Sequence, residues 1–261
     1  MILIRHELRQ GRRALLLWTV SIGFLIATCI LLFPEMKSQM EGVSALFASM
    51  GAFTRAFGMD KISFGALTGF YAVECGNILG LGGAFFASLT AASALSREER
   101  DRTAEFLLTH PVSRARVVGW KLSAVLFQLL LLNAAVFLLS VAAVAAMGEA
   151  VPWREIGLLH LSCLLMQLEL AGICFGLSAF LRRGSAGAAM GAASFMYFLN
   201  IAANLSPRAE FLKYLTPFGY ADGASVVSTC RLDGGMVLAG MALCALGIAA
   251  AFLHYCRKDI C

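Results

Sequence analysis

The side chains best equipped for chemistry in this chain are few, and they lie in apolar surroundings. Glu169 sits near the middle of the run Ile156–Leu181, where an ionised carboxylate costs about 3 kcal/mol or more unless it is paired, protonated or solvated. Ser162, Glu169, Gly172 and Gly176 are spaced by seven, three and four residues, so on a helix they share one face. Two readings of Glu169 stay open. It can line a cavity and meet substrate or carry a proton, or it can be a buried acid hydrogen-bonded across helices. Glu74 and Asn77 are placed near the end of another apolar run, among Gly76, Gly80, Gly82 and Gly83. Such small-residue bands let helices approach closely, so pathway and polar packing are both open there too. Asn133, with Gln128, Gln167 and Asn200, is a candidate for interhelical hydrogen bonding. A general acid–base pair of Glu169 with His160 fails on distance, because nine residues along one helix separate them by about 13 Å. The eight cysteines show no C-x-x-C spacing, and neither a metal cluster nor a catalytic triad can be assembled.

The elements that must position these residues are membrane spans. The chain is 59% hydrophobic and 14% charged, with a mean hydropathy of +0.78, whereas soluble domains are about 25% charged. Apolar runs of about 20 residues suffice to cross a bilayer as a helix. Six are found, at about Ala14–Phe33, Phe70–Leu95, Val117–Met147, Ile156–Leu181, Ala186–Leu205 and Met236–Tyr255. The sequence therefore predicts an all-α polytopic membrane protein, one transmembrane domain over residues 1–261. The first run ends in FPEMKS rather than a small-residue cleavage site, so it is expected to be a retained span. With the N-terminus inside, fourteen of the 21 Lys and Arg fall on the inner side and seven on the outer, which favours N-in, C-in. The net charge of +5 is clustered at span ends, where lipid headgroups rather than nucleic acid supply the counter-charge. Residues 35–69 and 206–234 become outer segments. In the first, Met36, Met40, Val43, Phe47, Met50 and Phe57 recur at helical spacing, which suggests an amphipathic helix. In the second, Phe211, Tyr214, Phe218 and Tyr220 suit an interfacial aromatic belt.

Residues 97–121, REERDRTAEFLLTHPVSRARVVGWK, concentrate ten charged side chains in 25 positions. Ser96-Arg97-Glu98-Glu99 fits a capping box, and Pro111 disfavours helical geometry at His110, so a helix over 97–110 is expected on the inner side. On a helical wheel Asp101, Glu105, Glu98, Thr109 and Arg102 fall on one arc. Thr103, Ala104, Leu107 and Leu108 lie largely opposite, with Phe106 at the border. An anionic leaflet would repel the acidic arc, so a protein partner with a groove accounts for the helix better than lipid does.

At this point the chain resembles a family. GFYAVECGNILGLGGAFFASLTAASALSREERDRTAEFLLTHPVSRARVVGWKL is similar to the second span, cytoplasmic helix and third-span start of ABC-2 type permeases, membrane subunits of bacterial exporters whose ATPase is a separate chain. RHELRQGRRALLLWTVSIG resembles the family's amphipathic N-terminal helix, here residues 1–13, and its first span; YLTPFGYADGA resembles the segment before the last. The resemblance implies that the helix at 97–110 is a coupling helix. Its docking surface for the ATPase would be Glu98, Glu99, Arg102, Thr103, Glu105, Phe106, Leu107 and Leu108. Pro111, Arg114 and Lys121 would shape and anchor the turn into span three. It also implies a second permease copy or a related permease, and a location in the bacterial cytoplasmic membrane. The sequence has no G-x-x-x-x-G-K-[ST], the loop that cradles ATP phosphates. No cofactor is expected on this chain, and ATP and Mg would be held by the partner ATPase. The rival reading is an ion- or proton-coupled carrier using Glu169 without an ATPase. It would be favoured by inverted repeats and broken mid-membrane helices, which the sequence does not clearly display.

Overall fold

A computed structural model describes residues 2–49, 51–59, 61–63, 65–97, 112–180 and 185–257. Among these residues there are helices and turns and no strand. Six helices are long and apolar enough to cross a membrane. The helices are α1 (Ile2–Ser49), α2 (Gly51–Ala56), α3 (Leu67–Phe70), α4 (Gly76–Ala94), α5 (Arg114–Ala146), α6 (Trp153–Phe180), α7 (Ser185–Leu205), α8 (Gly223–Thr229) and α9 (Gly234–Arg257). A π-helical turn, Tyr71–Cys75, joins α3 to α4, and a 3₁₀ helix, Pro207–Leu215, follows α7. The spans are thus α1, the run from α3 through α4, α5, α6, α7 and α9, close to the boundaries expected from composition.

The first helix is where expectation and structure differ. Its 48 residues extend about 72 Å at 1.5 Å per residue, more than twice the hydrocarbon thickness of about 30 Å. Residues 2–13 continue directly into the first span, and the helix runs on through Pro34 to Ser49. The expected N-terminal helix, first span and first part of the outer segment are therefore one element. A proline in a span is tolerated because neighbouring groups can satisfy the backbone that it frees.

Side-chain contacts fix the direction of each helix. Trp18 meets Phe86 and Phe33 meets Phe70, with ring centroids 6.4 and 5.1 Å apart, so α1 and the second span are antiparallel. Glu7 meets Lys121, and Gly11 lies against Gln128, so α1 and α5 are parallel. In the same way α4 and α6 run together through Gly76 against Leu159 and Gly83 against Gln167. α6 and α9 approach backbone to backbone. A Cβ on Gly172 would stand 2.9 Å from the Cα of Cys244, and one on Gly247 would stand 2.5 Å from the carbonyl oxygen of Gly172. The G-x-x-x-G of α6 is therefore a backbone-to-backbone seam, the use small residues have where no hydrophobic effect draws helices together. Successive spans alternate in direction, and both chain ends lie on one face of the bundle, the terminal face; the opposite end is the far face.

A buried polar bridge ties three spans at mid-depth. Asn133 on α5 donates through Nδ2 to Oε1 of Gln167 on α6 at 2.6 Å, and Gln167 Nε2 donates to the Leu79 carbonyl of α4 at 3.4 Å. Each bond replaces an unsatisfied amide in an apolar interior, which is why such pairs fix the register of packed spans.

Candidate functional site

At the terminal face an ionic cluster gathers both ends of the charged stretch. Lys121, seven residues after the start of α5, is 1% exposed, and Glu7, on the first turns of α1, is 6% exposed. Lys121 Nζ lies 2.9 Å from Glu7 Oε1 and donates to the Ala94 carbonyl, the last residue of α4, at 2.7 Å. Arg97 reaches the other Glu7 oxygen at 3.6 Å and donates to Gln10 Oε1 at 2.9 Å. The carboxylate of α1 thus holds one cation on each side of the stretch 98–111. The lysine also answers a backbone carbonyl at the end of α4, where the last turn of any helix lacks partners. Lys121 has no surface to offer a partner protein; its place is that of an anchor beneath the loop. Arg114 is the first residue of α5 and is half-buried. Ser96 is buried, and its hydroxyl donates to the Ala92 carbonyl at 3.2 Å. Glu98, Glu99, Arg102, Thr103, Glu105, Phe106, Leu107, Leu108 and Pro111 lie outside the described residues, and with them all of the expected helix at 97–110 but Arg97.

Glu169 is 3% exposed. The Tyr220 hydroxyl donates to its Oε2 at 2.9 Å. Gly240 of α9 lies against the same carboxylate, and a Cβ there would collide with it. Tyr220 belongs to the segment that follows α7, so this segment dips from the far face into the bundle. Burial, and then the Glu169 carboxyl beside it, push the Tyr220 phenol up from its ordinary value, so it stays a donor. This corrects the aromatic belt expected over 206–234. Phe211 and Tyr214 are 63% and 64% exposed, but Phe218 and Tyr220 are each 5% exposed. An interfacial anchor and a buried wedge use the same residue types, and composition does not separate them.

Glu74 lies in the π-helical turn and is half-buried. Asn77, one turn on, donates to the Val73 carbonyl at 2.7 Å and accepts from the Tyr197 hydroxyl at 3.2 Å. It lines a cleft at the far face, between α4, α7 and the dipping segment. His160 is paired with Tyr71, Nε2 to hydroxyl, at 2.7 Å, and is a packed interhelical residue. Glu169, Asn133 and Asn77 are therefore in three separate polar contacts and do not converge on one site. Among the described residues no group of His, Cys, Asp and Glu could hold a metal, and the seven described cysteines are free. Sequence reasoning missed Glu7, Arg97 as a partner of α1, and Tyr220 as the partner of Glu169. For Glu7 a signal was available: it is the sole acid before Glu35, within a basic N-terminal stretch.

Architecture and contacts define a polytopic helical membrane protein whose polar groups are packed between spans. The chain matches the family model of the ABC-2 family transporter protein over residues 1–260. It belongs to that family, and is a membrane transport component. No curated protein matches it.

Proposed function

We propose that this chain is the permease subunit of an ATP-driven exporter in the bacterial cytoplasmic membrane, with the terminal face in the cytoplasm. The helix at 97–110 docks on a separate ATPase, which holds ATP and Mg. Two permeases, identical or related, form the transport path between two such ATPases. ATP-driven closure of the ATPases pushes the docked helices and switches access from one side to the other.

The observation that carries this reading is the buried ionic cluster. A loop meant to deliver force needs a stiff base, and here Glu7 binds Arg97 before the loop and Lys121 after it. A push on the loop is thereby transmitted to α1, α4 and α5 together. Pairs of this kind are costly to break once buried, so the base moves as a unit. The test is co-expression of the permease with candidate ABC ATPases from its source genome, followed by co-purification. Replacing Glu105, Phe106 and Leu107 together by Ser should lower ATPase recovery at least tenfold while the permease stays folded. Full recovery with transport-coupled hydrolysis unchanged would rule the docking assignment out.

A further inference from the structure

The cleft at the far face carries a second site, one that does not depend on the ATPase reading. It is walled by Asn77, Tyr197, Asn200, Asn204, Phe218 and Asp222; its outline takes in about 470 Å³ with the open solvent at its mouth, and about 30 Å³ is free for the centres of water-sized groups. Gly80 faces it, and a Cβ built there meets nothing within 4 Å.

Its polar groups are unbalanced in one direction. Asn77 is satisfied by Val73 and Tyr197. Asn204 donates its Nδ2 to the Ala56 carbonyl at 3.3 Å, which fixes its orientation, and its buried Oδ1 has no protein donor. Asn200 is 8% exposed, and its Oδ1 is likewise buried without a protein donor. A buried acceptor left unanswered costs about 1–3 kcal/mol. The acceptor fixed on Asn204, with the Asn200 amide one turn before it on the same wall, calls for a ligand that donates hydrogen bonds.

Charge narrows the class. No Lys, Arg or His is among the residues that line the cleft, so a phosphate or carboxylate would find no counter-charge. The carboxylate at the rim is already engaged: Asp222 pairs with Lys61 Nζ at 3.4 Å and accepts from the Ala224 backbone N–H at 3.2 Å. A free ammonium group would thus compete with a lysine for it. Neutral hydroxyls remain. The Tyr197 and Phe218 rings, edge to face with centroids 5.4 Å apart, supply an apolar wall for the C–H face of a ring. We propose that this cleft binds a neutral, hydroxyl-bearing head group of sugar or polyol type, with Asn200 and Asn204 as acceptors.

The test uses the full-length chain in phosphatidylcholine nanodiscs without ATPase, with ligand-detected NMR as the readout. Octyl β-glucoside, below its self-association concentration, represents a membrane-borne head group, and methyl β-glucoside a soluble one. Saturable binding of the octyl compound alone supports an amphiphile from the bilayer, and binding of both supports a soluble sugar. Asn200→Leu should weaken binding at least tenfold without lowering the unfolding temperature, since it removes an unanswered acceptor. Gly80→Leu, which fills open space, should do the same. The proposal is overturned if neither glucoside binds saturably, if both variants bind as the parent does, or if octyl phosphate or octyltrimethylammonium displaces the glucoside.

Discussion

The two ends of the bundle solve the same problem with opposite chemistry. At the terminal face the contacts that lock helices together are ionic and buried: Glu7, Lys121 and Arg97 bind the ends of α1, α4 and α5. At the far face they are, among the described residues, neutral or partly exposed, with amides and phenols between α4, α7 and the dipping segment, and an ion pair, Lys61 with Asp222, whose lysine is one-third exposed. The difference teaches where each end can yield. A buried ion pair separates only at high cost, whereas neutral hydrogen bonds of about 1 kcal/mol net can be exchanged for a ligand or water. In the proposed mechanism the terminal face passes on the push and the far face opens in response.

That contrast can be broken at several points, and the largest effect is expected at the ionic cluster. Lys121→Met leaves the buried Glu7 carboxylate with Arg97 as its remaining cation, at 3.6 Å, and should destabilise the purified permease by up to about 3 kcal/mol in a denaturant titration. Glu7→Leu combined with Lys121→Met should recover part of that loss, because both buried charges are then gone and only the partly exposed Arg97 loses its carboxylate. A double variant as unstable as the single one would show that packing rather than charge holds the cluster.

Next in size is the α6–α9 seam. Gly172→Leu would drive a side chain into the backbone of Cys244, and overpacking of this kind costs about 1–3 kcal/mol or more. Gly80→Ala, on the open wall of the cleft, should leave the unfolding temperature unchanged or raise it. Equal losses at the two glycines would contradict the packing described for them.

Tyr220→Phe comes third. It removes the donor to Glu169, and its loss should amount to about 1.5 kcal/mol, within the range for a buried acceptor left without its donor. Glu169→Gln keeps an acceptor for the phenol and should cost less. ATP-driven transport by Glu169→Gln should stay within threefold of the parent in proteoliposomes. Abolished transport, together with uptake driven by a proton gradient without ATP, would favour the carrier reading instead. The smallest effect is expected for Lys61→Ala. Its pair is one-third exposed on the lysine side, and such pairs contribute about 1 kcal/mol or less and weaken with salt.

Much of this was legible in the sequence because span composition is a strong physical signal. The runs placed at 117–147, 156–181, 186–205 and 236–255 correspond to α5, α6, α7 and α9 within a few residues. The unity of α1 was not legible. Pro34, Glu35 and Lys37 interrupt the apolar run, and hydropathy reports where lipid can be faced, not where a helix ends. The inward turn of Phe218 and Tyr220 was hidden for a related reason: Glu169, the partner of Tyr220, is 51 residues away in sequence. The seam at Gly172 and Gly176 was visible as a motif, but its partner residues on α9 were not. Lys121 was expected to anchor the turn into span three, and nothing local indicated that its counter-charge would come from residue 7.

The central claim is that the charged stretch after α4 is the handle of a motor carried by another chain. It is tested most directly by photocrosslinking in membranes that contain both permease and ATPase. A benzophenone amino acid in place of Phe106 should yield an adduct with the ATPase, and one in place of Trp153, 62% exposed at the far face, should yield none. Strong crosslinking from position 106 to lipid alone, with the ATPase present and active, would contradict the account.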